Sequence, residues 1–460
     1  MKVFKRLGTV MAAVLVLAAV MTGTALAAEP ENTAAPAISV QLNGQTLAFT
    51  DASPESSNGR TFVPLRAVME AMDAQVDYER ATDTVKIQRG GVDLSMVLGD
   101  NKAVIQENGQ TRTMEMDVVP YVKNDRTYVP VRFVAEAFGC NVGWDQSTKT
   151  VIIVDVDALM GDAAFTLMDN FSAYCAKQNK TDNMAVSGTM NLNLTDKSGV
   201  NFTKPVSAAV TLDGIGNNTG AQLSWELQFS GLADLLADSS ASSADQVAMQ
   251  QLLSSLSSLK GEVRMDLNDS LYLTLPAALT GAQQDTWYSV DMAAYQTELF
   301  NGLDMTQLAQ LQSTDIREAL AAVLKAIPLN DSASSYDAMA MVSGLYVNLM
   351  GDQAFTQSGS TYVSHTILED LVDMTITLTK RGDDIVSAEV KAVWNVDEDG
   401  QKMSMTMEEL AAPDKVTLTM EMTLDIDQVL MAMDLDLTCV PTSKAPVTLP
   451  PAGATVVPMN

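Results

Sequence analysis

Apolar residues recur along this chain with two different periods. Leu65, Val68, Met69 and Met72 fall at i, i+3, i+4 and i+7, and Val131, Val134, Ala135 and Phe138 repeat that spacing. One apolar stripe at the period of a helical turn predicts two short amphipathic helices. Each follows a Thr-aromatic-Val strand and opens on a proline, Pro64 or Pro130, whose missing N–H costs nothing in a first turn. Further on the period becomes two. Met190–Leu194, Leu223–Phe229, Val263–Leu267, Leu271–Leu275, Met403–Met407, Val416–Leu424 and Met431–Leu437 all alternate apolar and polar residues. Such alternation predicts half-buried antiparallel strands. Asp213-Gly214, Asn268-Asp269, Gly382-Asp383 and Asp399-Gly400 read as hairpin turns between them. Helices are predicted over 157–180, 233–259 and 297–326.

The two helical segments belong to a duplication. Residues 60–87 lie on 126–153 at a constant offset of 66, so that Arg60-Thr61-Phe62-Val63-Pro64-Leu65-Arg66 meets Arg126-Thr127-Tyr128-Val129-Pro130-Val131-Arg132. Val68, Glu70, Ala71, Val76, Thr82, Thr84, Val85 and Ile87 each meet an identical residue. Each copy therefore reads strand, helix and two short strands, Gln75–Tyr78 with Thr84–Gln88 in the first and Asn141–Trp144 with Thr150–Val154 in the second. Gly139 suits the end of the second helix, and Asp73 holds that place less well in the first.

Arg126 to Arg132, Ala135-Glu136-Ala137-Phe138-Gly139, Val142-Gly143-Trp144-Asp145 and Thr148-Lys149-Thr150-Val151 together resemble the copper amine oxidase N-terminal-like domain of Gram-positive bacteria. The resemblance covers about residues 38–155. The first copy departs from it, with Tyr78-Glu79 for the Trp-Asp pair and Asp73 for the Gly. It implies a secreted or surface accessory module, because in amine oxidases the copper and the Tyr-derived quinone belong to a separate catalytic domain. The later β pattern is similar in architecture to LolA/LppX-type lipoprotein carriers, in which a strongly bent sheet wraps helices around an apolar cavity. Leu271-Tyr272-Leu273 followed by Trp287-Tyr288-Ser289-Val290-Asp291 is the kind of strand pair they carry.

Lys2, Lys5 and Arg6, the apolar run Val10 to Val20 and the small residues Ala25 and Ala27 form the three-part pattern of a secretory leader over 1–27. No later stretch is apolar for long enough to predict a second membrane span. The expected location is extracellular or cell-wall associated. With 28 Lys+Arg against 57 Asp+Glu, the net charge of −29 argues against nucleic acid as a partner. A single His, His365, cannot supply the three ligands of an amine-oxidase copper. No cofactor, metal site or catalytic residue is predicted. His365 shares a strand face with Val363 and Ile367 and is expected in the core. Cys140 takes the place of Ala74 in the repeat and reads as a small buried residue, and a Cys175–Cys439 bridge is conceivable.

The predicted fold is α+β: a small duplicated strand-helix-strand-strand domain, 38–155, then a large antiparallel β half-barrel-like domain with helical inserts, 157–445. A Pro-rich tail, 446–460, follows. Two sets of candidate site residues stand out. Met403, Met405, Met420, Met422, Met431 and Met433 would crowd one sheet face and line an apolar ligand site, or else fill an ordinary core. Arg66 and Arg132 would either pair with Glu70 and Glu136 four residues on, or contact an anionic wall polymer. The function expected is a non-catalytic envelope protein whose partner is a cell-wall polymer or an apolar ligand or lipid. The alternative is a structural or adhesive surface protein with a filled β core. Nothing in the sequence fixes the oligomeric state.

Overall fold

A computed structural model describes residues 38–107, 109–178, 181, 183–198, 205–217, 219–230, 258–266, 270–275, 286–291, 315–368, 372–398, 401–426 and 429–459. The leader 1–27 lies outside them, as do 233–257 of the insert read at 233–259, 297–314 of the insert read at 297–326, and the turns Asn268-Asp269 and Asp399-Gly400. The described residues fall into two compact units. The first joins 38–162 to 320–344, and the second joins 163–319 to 345–459. The segment 320–344, expected in the β-rich domain, thus folds with the duplicated one. Among the described residues, no helix is long and apolar enough to cross a membrane.

The first unit opens with β1 (Ser39–Leu42) and β2 (Gln45–Thr46). The first copy of the repeat is β3 (Glu55–Ser57), β4 (Arg60–Pro64), α1 (Leu65–Ala71), β5 (Gln75–Glu79) and β6 (Thr84–Arg89). A meander of β7 (Val92–Val97), β8 (Lys102–Glu107) and β9 (Gln110–Glu115) extends it. The second copy is β10 (Tyr121–Lys123), β11 (Arg126–Pro130), α2 (Val131–Ala137), β12 (Cys140–Asp145) and β13 (Thr150–Asp155). The short helix α3 (Val156–Met160) follows. Three sheets result, in the orders β12-β13-β1-β2, β10-β11-β4-β3 and β5-β6-β7-β8-β9. The copies differ in how their last strand is covered. β6 passes into the meander, whereas β13, buried along its whole length, takes β1 in parallel on its free edge.

The two copies are related by a pseudo-dyad. β4 and β11 pair antiparallel with Val63 opposite Val129, its own counterpart, and with Phe62 opposite Pro130 and Pro64 opposite Tyr128. Contacts elsewhere obey the same exchange. Arg60 of the first copy binds Asp117, while its counterpart Arg126 binds Asp51, the counterpart of Asp117. Left-handed backbone recurs at matched places too: Asn58 and Asn124, Asp73 and Gly139, Asp83 and Lys149. Where a polar or charged residue meets its own counterpart, identical side chains would be a poor match, and the sequence breaks the identity there. Arg89 faces Asp155, and Tyr121 donates to Glu55. A single core serves both copies, with Val68, Ile87, Ala135 and Ile153 fully buried.

The second unit begins with α4 (Thr166–Gln178). The predicted helix over 157–180 is in fact two, because Gly161 adopts φ 54° and ψ −144° and ends α3. A large sheet follows, from β14 (Met184–Asp196), β15 (Val206–Gly216), β16 (Gly220–Ser230), β17 (Ser258–Asp266), β18 (Ser270–Thr274) and β19 (Thr286–Asp291). The chain then runs through α5 (Ile316–Ala326) and α6 (Ser335–Met350), of which residues 320–344 belong to the first unit, and the sheet is completed in chain order. Its later members are β20 (Thr356–Ser358), β21 (Thr361–Leu368), β22 (Val372–Arg381), β23 (Asp384–Glu398), β24 (Gln401–Ala412), β25 (Lys415–Ile426), β26 (Val429–Pro441) and β27 (Thr455–Pro458). The order across its 14 strands is β20 to β26, then β14 to β19, then β27. All neighbours are antiparallel except β19 and β27.

Several expectations need correction here. The Pro-rich tail 446–460 contributes a strand: β27 pairs with β19, and Leu449 O accepts from Arg264. Ser258 and Leu259, read as the end of the insert 233–259, are strand, because β17 begins at Ser258. Asp213-Gly214 is strand, not turn. A Cβ at Gly214 would lie 2.1 Å from Gln222 O, so glycine lets β15 and β16 close together. The turn is made instead by Asn217, whose side chain accepts from the Thr219 and Gly220 amides. His365 is exposed and pairs with Asp373 at 2.9 Å. The register of β21 turns Ser364 inward, where its hydroxyl donates to Leu349 O, and Val363 and Ile367 lie with His365 away from the core.

Candidate functional site

The six methionines singled out from the alternation are brought together on one face of the large sheet. Met403 stands opposite Leu424, Met405 opposite Met422, and Met407 opposite Met420. On the next strand Leu424 faces Met431, Met422 faces Met433 and Met420 faces Leu435. The rows continue through β14, where Met431, Met433 and Leu435 face Leu194, Leu192 and Met190. Leu192 then leads to Ala208 and Phe229, and Met190 to Val210 and Leu227. The alternate residues, Ser404, Thr419, Glu421, Asp434 and Asp436, are exposed on the other face.

Burial along that apolar face is graded. Under α4, which lies on β23, the face is closed: Met374, Ile376, Leu378 and Val390 are 0% exposed. Asn170 of α4 fixes this contact by accepting from the Ile385 amide and donating to Asp383 O. The six methionines on β24, β25 and β26 are each only half-buried. Their thioethers therefore form a broad, adaptable apolar surface, and the same face of β24 carries one buried acid, Glu409, opposite Leu418.

Arg66 and Arg132 are not brought to one place. Each reaches its own glutamate along its helix, Arg66 to Glu70 at 3.7 Å and Arg132 to Glu136 at 3.8 Å. Arg132 also lines a cleft of about 820 Å³ in the first unit, and Arg66 does not. Phe133 of α2 and Trp144 of β12 supply aromatic surface to this cleft, and Arg60, Asp117 and Lys149 supply charge. Arg60 is held by Asp117 at 2.5 Å. Burial pushes the Glu136 carboxyl up, against the pull of Arg132. None of these cleft residues except Arg132 was marked by sequence reasoning. A signal did exist, because aligned at the offset of 66 the copies differ at Phe133 against Ala67, Trp144 against Tyr78 and Lys149 against Asp83.

The segment 320–344 explains the glycine and aspartate of the Val142-Gly143-Trp144-Asp145 motif. Leu329 O accepts from the Trp144 amide at 3.0 Å, and a Cβ on Gly143 would lie 1.9 Å from that same oxygen. Asn141 donates to Leu324 O and Ile327 O at the end of α5. Asp145 is buried and accepts from the Ser147 and Thr148 amides and from both polar groups of Ser332. Burial alone would raise its pKa, but the hydrogen bonds from Ser147, Ser332 and Thr148 outweigh it and hold the carboxyl far below the usual range.

Two of the three thiols offer no reactive site. Cys140 and Cys175 are free and buried, so the conceivable Cys175–Cys439 bridge is not formed. Burial pushes both thiols up to about 12. Among the described residues, no three His, Cys, Asp or Glu side chains are placed to hold a metal ion.

The first unit is thus a duplicated strand-helix-strand-strand domain built on a pseudo-dyad. Residues 41–153 match the family described as the copper amine oxidase N-terminal domain, which is a non-catalytic part of those enzymes. No curated protein sequence matches the chain. Among solved structures the chain is similar to a DUF1329 family protein from Desulfovibrio piger, at 8% identity over 61% of this chain and 95% of that one, with a TM-score of 0.17. A superposition that loose defines no common fold.

Proposed function

We propose that this is a secreted, non-catalytic protein of the cell envelope whose large sheet holds an apolar ligand, a lipid or lipid-like chain. In this reading the sheet bends into a half-barrel with its methionine face inward, and the first unit serves for attachment or recognition. The observation that carries it is the half-buried state of Met403, Met405, Met420, Met422, Met431 and Met433, in register across three strands. A filled core would bury them as it buries Met374 and Ile376. An acyl chain laid along the rows would gain about 0.8 kcal/mol for each CH₂ removed from water. The leader read at 1–27 supports export.

The test is saturable binding of a fluorescent fatty acid by the full chain. Met422→Lys should abolish it, because the charge would have to be buried with the ligand. Met422→Leu, which keeps the volume and the apolar surface, should retain it. If the folded wild type takes up no apolar probe, the carrier reading fails and a structural or adhesive surface protein takes its place.

A further inference from the structure

The duplication supplies an internal control for reading the cleft of the first unit. Much of the second-copy cleft lining repeats the first copy, as at Arg132 and Arg66, Glu136 and Glu70, Val142 and Val76, and Val151 and Val85. The copies diverge at the cleft's aromatic positions and at one of its charges. Phe133 and Trp144 stand where the first copy has Ala67 and Tyr78, and Lys149 stands where it has Asp83. In the first copy Tyr78 donates to Asp83 at 2.6 Å, so ring and acid satisfy each other. In the second copy the Trp144 N–H is turned to Gln146, at 2.8 Å, and the ring borders the cleft.

We infer that this cleft binds an uncharged pyranose oligosaccharide. This rests on the recognition role proposed for the first unit and names its ligand. A pyranose ring has an apolar C–H face that packs on an aromatic ring and an equatorial rim of hydroxyls that both donate and accept. The cleft offers both kinds of surface. Phe133 and Trp144 give the flat apolar area, and the rim carries donors on Arg60, Arg132 and Lys149 beside acceptors on Asp117 and Glu136. Two of the cations already have carboxylate partners, Arg60 with Asp117 and Arg132 with Glu136. These pairs are poor at holding a polyanion but keep spare hydrogen-bonding positions for hydroxyls. A volume of about 820 Å³ falls within the range of small-ligand sites.

Calorimetric titration of the full chain with soluble gluco-, galacto-, manno- and N-acetylamino-pyranose oligosaccharides tests the assignment. At least one should bind, with affinity at least tenfold lower in Trp144→Ala and in Phe133→Ala. The second variant should fold, since Ala67 already occupies the matching helix position. Tyr78→Ala, at the matching place in the first copy, should bind like the wild type. Binding of no oligosaccharide, equal binding by Phe133→Ala, or binding of polyglycerol phosphate in place of sugars overturns the inference. Retention of the chain on whole cell-wall sacculi without oligosaccharide binding defeats the sugar assignment and spares the recognition role. Loss of both defeats both.

Discussion

Asp145 and Ser332 meet across 187 residues of chain: the carboxylate accepts the Ser332 amide at 3.0 Å and its hydroxyl at 2.7 Å. Asp145 is 3% exposed and also closes the turn at Ser147 and Thr148, so one buried charge joins a repeat hairpin to the segment 320–344. The first copy has Glu79 here, exposed on the surface and paired with Lys86.

Asp145→Asn should therefore destabilise the first unit by about 1–3 kcal/mol, the cost of hydrogen bonds lost to a buried acceptor. The effect should depend on pH in one direction. Because folding lowers this pKa, its contribution is full above the unfolded value of about 3.9 and disappears as pH falls toward the folded one. Urea midpoints of wild type and variant should differ by a constant amount above about pH 5 and converge in acid. A difference that grows on acidification would contradict this account.

Gly143→Ala should break the same junction from the backbone side. The added methyl would strike Leu329 O, which cannot move without losing the Trp144 amide bond. We expect a loss of about 1–3 kcal/mol and faster hydrogen exchange at the Trp144 amide. Exchange should also quicken over 324–332. Unchanged exchange at Trp144 would show that the segment accommodates the methyl.

The two helix ends make a matched pair of opposite predictions. Asp73 and Gly139 hold the same place after α1 and α2, at φ 58° and φ 81°. Asp73→Gly should stabilise by about 0.5–1 kcal/mol by relieving a left-handed residue that has a Cβ. Gly139→Ala should cost a similar amount for the torsion alone, since its nearest neighbours lie at 3.7 and 3.8 Å and leave room for a methyl. Thermal midpoints of the two variants should move in opposite directions.

Periodicity made visible those elements whose burial is one-sided. Leu65 to Met72 and Met431 to Leu437 read correctly because one stripe or one face is apolar and the other is wet. The segment 320–344 was not legible as part of the first unit, because its apolar stripe, with Leu320 and Leu324 buried, does not say what it packs on, and the hydrogen bonds that dock it join residues far apart in the chain, Asn141, Trp144 and Asp145. His365 misled because Val363 and Ile367 suggest an inward face, whereas a hydroxyl, on Ser364, turns inward. The cleft escaped notice because its residues come from β4, the chain after β9, α2 and the β12 hairpin, and only the fold assembles them.

The pseudo-dyad leads to a last prediction, at the place where Arg89 meets its own counterpart Asp155. Arg89 binds this buried carboxylate and, through Nε, caps α1 by donating to Met72 O at 2.6 Å. Arg89→Met should cost about 3–5 kcal/mol, because it leaves a carboxylate buried without its cation. Exchanging the pair, Arg89→Asp with Asp155→Arg, should recover part of that loss. The pseudo-dyad places the new arginine near the end of α2, where Phe138 is the counterpart of Met72. Recovery should stay incomplete, because Asp155 also accepts from the Ala158 amide at the start of α3, a helix with no counterpart after β6. Urea denaturation of the full chain and of the single and double variants measures both terms. If the exchanged pair is no more stable than the worse single variant, then Arg89 and Asp155 do not occupy interchangeable positions and the pseudo-symmetry stops at the backbone.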